Sequence, residues 1–207
     1  MNRYLNIWYK CTAGQAQADF SSRFGAVFLL IGKILRFLFF LIFLILIAGR
    51  TKNVAGYSLW EVIFIYATFN LVDPIPQMLL RSVYRFRSYV VSGFFDFYMA
   101  QPVSPLFRSL FGGSDVLDLP MLLISIGFIF YSGMHLPNFS IGGVLLYILL
   151  VLNALIIALS FHILVLSMGV ATTEVDNTIM LYRDLTQMGR VPITVYQQSV
   201  SFLLTFV

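Results

Sequence analysis

The segment Phe37–Ala48 reads FLFFLIFLILIA, an unbroken apolar run between Arg36 and Arg50. A water-soluble fold must hide every side of such a run. A bilayer accepts it directly, because a helix satisfies its own backbone hydrogen bonds inside lipid. Twelve residues cover only about 18 Å of helix, against a hydrocarbon core of ~30 Å. Long cationic side chains snorkel outward, so the span is placed at about 35–52, or it starts earlier and takes Lys33 and Arg36 into the helix. The run begins only after Arg36 and no small-x-small site follows it, which argues against a cleaved leader. Composition agrees. The chain is 59% hydrophobic and 11% charged, where a soluble domain carries about 25% charged residues. A disordered chain is excluded and a soluble globular one disfavoured.

Further apolar segments cover about 57–80, 116–134, 141–170 and 193–207. The last would cover only about 22 Å of helix and reads as incomplete. The expected fold is therefore all-α: a polytopic helical membrane protein with five spans, in a single transmembrane domain over 1–207. An arm over 1–34 precedes the first span, and a loop over 81–115 separates the second from the third. Lys and Arg fall unevenly about these spans. Arg3, Lys10, Arg23, Lys33, Arg36, Arg81, Arg85, Arg87, Arg108, Arg183 and Arg190 lie on one side, and only Arg50 and Lys52 on the other. That bias places the amino terminus in the cytoplasm. The basic residues flank apolar runs and form no stripe, so no nucleic acid is expected as a partner. Membrane lipid is the expected surround. Cys11 is a single cysteine, and His135 and His162 stand alone, so no metal site is expected.

Few pieces have the form of a reaction centre. The nearest approach to a phosphate loop, Gly25 to Gly32-Lys33, is two residues too wide and has Ile34 where a hydroxyl belongs. No GxSxG or HExxH occurs. Asp115 and Asp118 form a DxxD, which reads as a helix cap before it reads as a metal-phosphate site. Within the second span, Tyr66, Asn70 and Asp73 share a helix face. They line a translocation path or bond between helices, with Arg81 a possible partner for Asp73; Asn153 and His162 are read by the same rule as interhelical bonds. Pro74 and Pro76 break or kink the second span. Asn138-Phe139-Ser140 has the form of a glycosylation triplet but sits in a very short loop, where it reads as chance.

The loop is long and aromatic for a connector. Ser104 can cap a helix, Pro105 suits its first turn, Leu106, Phe107, Leu110 and Phe111 fall on one face, and Gly112-Gly113 ends it. A short amphipathic helix over about 105–111 follows. It either rests in the lipid interface or docks a cytoplasmic partner. The arm offers a similar flank of Tyr4, Leu5, Trp8, Tyr9 and Cys11, with Arg3 and Lys10 polar, and reads as an interfacial helix.

Several of these pieces, taken in order, resemble the permease of type-2 ATP-binding-cassette (ABC) exporters, in the compact bacterial branch with six spans. They are the basic arm ending at Arg36, Val54-Ala55-Gly56-Tyr57-Ser58-Leu59-Trp60-Glu61 at the second span, Gly93 through Pro105 in the loop, and Arg190-Val191-Pro192-Ile193. The loop is similar to a Gly-x-x-Asp-x-x-Leu-x-(Arg/Lys)-Pro-x-Ser/Asn-Pro pattern, with Tyr98 and Gln101 replacing the Leu and the basic residue. The sixth span of relatives has no counterpart before Val207, which implies a fragment or a truncated form.

The resemblance implies two permease subunits, identical or paired with a sister, lining a path at their interface. It implies separate ATPase subunits that hold ATP and magnesium, so that this chain binds no cofactor and is no enzyme itself. The 105–111 helix would be the coupling helix. Gly93 would let the loop turn, Asp96 would cap or pair with Arg85 or Arg87, and Pro102 and Pro105 would set the helix entry. Phe107, Leu110 and Phe111 would fill an ATPase groove or face lipid, and Arg108 would meet an acidic rim. Two alternatives remain: a non-transporting membrane scaffold, and a lipid-modifying enzyme using Asp115, Asp118, Glu174, Asp176 and Asp184.

Overall fold

The computed structural model describes residues 2–51, 56–137, 140–172 and 176–206. Lys52, Val54-Ala55, Asn138-Phe139, Glu174 and Val207 lie outside the described residues. Eleven α-helices and four 3-10 turns make up the described chain, which contains no strand. In order they are α1 (Asn2–Ser21), α2 (Arg23–Thr51), α3 (Leu59–Val72), α4 (Pro74–Leu79), α5 (Phe86–Val91), α6 (Phe94–Ala100), α7 (Pro105–Leu110), α8 (Leu119–Gly133), α9 (Ile141–Thr172), α10 (Asp176–Gln187) and α11 (Gln198–Phe206).

Four stretches among the described residues are long and apolar enough to cross a bilayer: Phe24–Arg50, Leu59–Leu79, Val116–Gly133 and Ile141–Thr172. The first follows the earlier of its two expected starts. Ser22 accepts from the Gly25 amide at 3.3 Å, which caps α2 there and carries Lys33 and Arg36 into the helix. α3 opens with a capping box: the Ser58 hydroxyl accepts from the Glu61 amide, and the Glu61 carboxylate accepts from the Ser58 amide at 2.8 Å. Pro74 sits at the first turn of α4 and kinks the second span without ending it. The segment after Pro192, expected as the fifth span, holds a 3-10 turn and the nine-residue α11, ~13 Å of helix among the described residues. Gln197, Gln198, Ser199 and Ser201 interrupt its apolar character.

The spans run alternately, so one end of the bundle gathers α1, α4 to α7, the start of α8, the end of α9, and α10. This is the basic end. Lipid removes most of the hydrophobic drive between helices, which leaves close packing and hydrogen bonds to hold them. Phe37, Leu41 and Leu44 of α2 pack with Val62, Ile63 and Tyr66 of α3 and Met121 of α8. Phe37 stacks on Tyr66 at 5.1 Å and meets Phe128 at 5.4 Å. Ser125, Ser132 and Gly133 are buried on α8 and keep that helix close to α3. At the basic end a second cluster joins Leu80, Val83 and Phe86 to Leu110 of α7, Val165 and Leu166 of α9, and Ile179 of α10.

Phe37 is 2% exposed and Phe39, two residues on, is 69% exposed. Phe37→Ala is expected to lower stability by about 2 kcal/mol, below the ~3–5 kcal/mol of a water-soluble core because lipid replaces the water transfer. Phe39→Ala should change little. Unfolding in mixed micelles of rising denaturing-detergent fraction measures both.

Candidate functional site

The bundle opens at its basic end into a cleft of about 560 Å³ between α2, α3, α4, α8 and α10. Tyr66, Asn70 and Asp73 all line it, as their shared helix face predicts. Each also bonds within the bundle. The Tyr66 hydroxyl donates to the Phe37 carbonyl of α2 at 3.2 Å. The Asn70 amide donates to the Tyr66 carbonyl at 2.8 Å, and the Asn70 carbonyl faces the Ser125 hydroxyl at 3.0 Å. Asp73 is not met by Arg81. Its carboxylate accepts from Gln77 at 2.9 Å and from the Thr186 hydroxyl at 3.4 Å.

Arg81 instead lies 3.7 Å from Asp115. Lys33 reaches Asp118 at 2.5 Å and Asp115 at 4.0 Å. Asp115 also accepts from the Leu117 amide at 3.0 Å, so it caps the turn ahead of α8 while bearing two cations. A lysine this far inside an apolar helix is costly unless paired, and the DxxD supplies the pair. This arrangement ties α2, the turn after α4 and the start of α8 at one level.

The remaining cationic lining is Arg36, Arg183 and Arg190. Arg190 lies over Phe40 and Phe69, with its guanidinium carbon 6.0 and 5.4 Å from their ring centres. Burial pushes its guanidinium below the ordinary value, and the Arg36 charge beside it adds to that. On α10, burial and then the Asp73 charge push Tyr182 up to about 12. Burial likewise raises Tyr84 and Tyr98.

Asn153 and His162 do not join the cleft. Asn153 is exposed on α9 and bonds no neighbouring helix of this chain among the described residues, contrary to expectation. His162 is buried but bonds its own helix, with Nδ1 2.7 Å from the Ala158 carbonyl, and is surrounded by Tyr84 and Tyr182. Its interhelical contacts are aromatic.

The loop is built from α5, α6 and α7. Gly93 has φ 72°, a left-handed value that suits glycine, and turns the chain between α5 and α6. Ser104 accepts from the Phe107 amide at 3.4 Å and Pro105 opens α7. At the far end, a Cβ on Gly112 would stand 2.6 Å from the Arg108 carbonyl and 2.7 Å from the Ser82 hydroxyl, so this close approach needs glycine.

Of the face expected to dock a partner or to meet lipid, Leu106 stays exposed, while Phe107, Leu110 and Phe111 are turned inward. Leu110 is buried in the second cluster and Phe111 packs against it. Phe107 meets Tyr4 edge-on at 4.8 Å. Arg108 lies over the Tyr98 ring at 5.3 Å and donates to the Cys11 sulfur. The reason is α1, which lies along the loop. The Trp8 indole donates to the Ser114 hydroxyl at 3.0 Å, Arg85 donates to Gln15 at 2.7 Å, and Arg3 donates to the Pro102 carbonyl at 3.0 Å. Asp96 is exposed and holds neither arginine: Arg85 is on Gln15 and Arg87 on Asp176 at 3.1 Å. What remains outward is Phe94, Phe97 and Met99 of α6 with Leu106 of α7.

The carboxylates proposed for an enzyme do not converge. Asp115 and Asp118 face Lys33 and Arg81, Asp176 faces Arg87 outside the cleft, and Asp184 is exposed. No group of three potential metal ligands occurs among the described residues. The sequence reading placed Lys33, Arg36, Arg183 and Arg190 on one side of the membrane, and Arg190 in the resemblance, but did not bring them into one cleft. The three-residue spacing of Lys33 and Arg36 was a signal that both share a helix face.

Apolar spans with a charged cleft at one end define a multi-pass helical membrane protein. Residues 34–207 match the model of the ABC-2 family transporter proteins, and the chain belongs to that family. Comparison with curated proteins and with solved structures found no match. The family is a membrane component of transport systems, so the chain is a permease-type protein.

The side chains of Lys33 and Asp118 are 33% and 13% exposed, against 49% and 45% for Arg87 and Asp176. A double-mutant cycle with Lys33→Gln and Asp118→Asn is expected to give a coupling of about 1 kcal/mol, and the cycle at Arg87 and Asp176 at most about 0.5 kcal/mol. Tyr182 supplies a pH test. The unfolded chain releases such a proton near 10, and the folded chain holds it to about 12. Stability from this group is therefore complete below pH 10 and is lost as pH rises towards 12. Thermal unfolding of Tyr182→Phe should show a shallower alkaline decline.

Proposed function

We propose that the chain is the permease subunit of an ABC exporter. Two permease subunits would form the path, and separate ATPase subunits would drive it from the basic end. The family match over residues 34–207 carries this reading. The packing of the loop supports it in a modified form. A coupling element must receive force on one face and pass it to the spans through the other. Leu110 gives α7 the inner connection, since it shares a cluster with Val165 and Leu166 of α9 and with Ile179 of α10. Phe94, Phe97, Met99 and Leu106 give the outer face, each about half exposed or more.

On this reading the ATPase contacts the elbow of α6 and α7, and Phe107 and Arg108 act from within by holding α1 to the loop. ATP-driven closure would push the elbow, and the second cluster would carry the displacement into α9. The cleft residues Tyr66, Asn70 and Asp73 sit at the same end and would face the path as it opens there. The family suits a cytoplasmic (inner) membrane setting, and the Lys and Arg bias puts the basic end inside.

The test is co-purification from the native locus in mild detergent. An ATP-binding subunit should remain bound. Replacing Phe97, Met99 and Leu106 together by Ser should weaken its retention about tenfold or more, as loss of an apolar hot spot does. Phe39→Ala, on the lipid face of α2, should not. Recovery without an ATPase, or retention unchanged in the triple variant, would overturn the docking assignment.

A further inference from the structure

The cleft carries a charge imbalance that its own residues leave unmet. Five cationic side chains line it against three carboxylates. Lys33 and Arg81 are matched by Asp118 and Asp115. Arg36, Arg183 and Arg190 are left, and none has an ion pair within 4 Å among the described residues. Asp73, within electrostatic reach of Arg183 and Arg190, offsets one charge, and it is already bonded to Gln77 and Thr186. Arg190 is half-buried, rests on two aromatic rings and feels the Arg36 charge. Guanidinium groups gathered in a half-dry cleft repel one another unless an anion sits among them.

We infer that this cleft binds a phosphate ester of net negative charge, its oxyanion seated among Arg36, Arg183 and Arg190. The planar fork of arginine presents paired N–H donors that match phosphate oxygens. The three come from two separated parts of the chain, α2 and the α10 region, so an oxyanion would join elements that the ion pairs of Lys33 do not join. The wall of the cleft also has an outward side. Phe39 and Phe43 line it and are 69% and 52% exposed, towards the hydrocarbon that surrounds α2. A headgroup held by the arginines can leave its chains along these rings. Basic pockets between spans at the loop end suit anionic headgroups. A free phosphate ester would reach the same arginines from the aqueous end. The site needs no ATPase and holds whether or not one docks on α6 and α7.

The full chain, purified in a neutral detergent, is titrated with three probes while its thermal unfolding and its native mass spectrum are followed. The probes are dihexanoyl phosphatidylglycerol, dihexanoyl phosphatidylcholine and glycerol 3-phosphate. Saturable binding of the phosphatidylglycerol alone assigns the site to a lipid headgroup, and equal binding of glycerol 3-phosphate assigns it to a free ester. In either case Arg183→Gln with Arg190→Gln should weaken binding at least tenfold. Arg36→Gln, an exposed position on a long helix, should weaken it in the same direction without disturbing the fold. Arg87→Gln, whose partner is Asp176 outside the cleft, should leave it unchanged. The inference is overturned if none of the probes binds, if the choline lipid binds as tightly as the glycerol lipid, or if Arg87→Gln costs as much as the cleft variants.

Discussion

Lys33 lies well inside α2, and it is tolerated there because Asp118 meets it at 2.5 Å and Asp115 stands 4.0 Å away. Much of the basic end depends on that pairing. It brings the end of the loop that follows the second span, at Asp115 and Asp118, against the first span, and it sets the level at which α8 begins. Asp115 serves both purposes, as the cap of the turn ahead of α8 and as the partner of Arg81. In lipid the alternative to such pairing is an isolated charge, which costs several kcal/mol. The helices are therefore registered by electrostatics where apolar contact with lipid would leave them free to slide.

The loop is held from two directions. Beneath, Leu110 and Phe86 join the core cluster that includes the end of α9. Above, α1 lies across it, joined through Trp8, Gln15 and Arg3 and through the ring contact of Tyr4 with Phe107. Such bracing joins the loop both to α1 and to the end of α9. The same bracing explains why Phe107 of α7 is not free for a partner, since Tyr4 of the amino-terminal helix meets it, and why only Leu106 of α7 stays outward.

The cleft combines two populations of charge. Lys33, Arg81, Asp115 and Asp118 are mutually satisfied and structural. Arg36, Arg183 and Arg190 have no ion pair within 4 Å among the described residues, and they sit beside the polar face of Tyr66, Asn70 and Asp73. The first population holds the walls at a fixed spacing, so the second can present an unsatisfied field to whatever enters from the bilayer or from water.

The apolar runs by themselves determined a helical membrane protein, because length, composition and the flanking arginines admit little else. They also determined that Tyr66, Asn70 and Asp73 share a face and that Ser104 with Pro105 begins a helix, since both follow from helical spacing and capping chemistry alone. Only the tertiary structure decided the partners. Arg81 took Asp115 in place of Asp73, α7 turned Phe107 and Leu110 inward, and Asn153 faced outward. Each outcome depends on which elements, far apart in the chain, come to lie side by side. Helix periodicity says which residues share a face, but only packing says what that face meets.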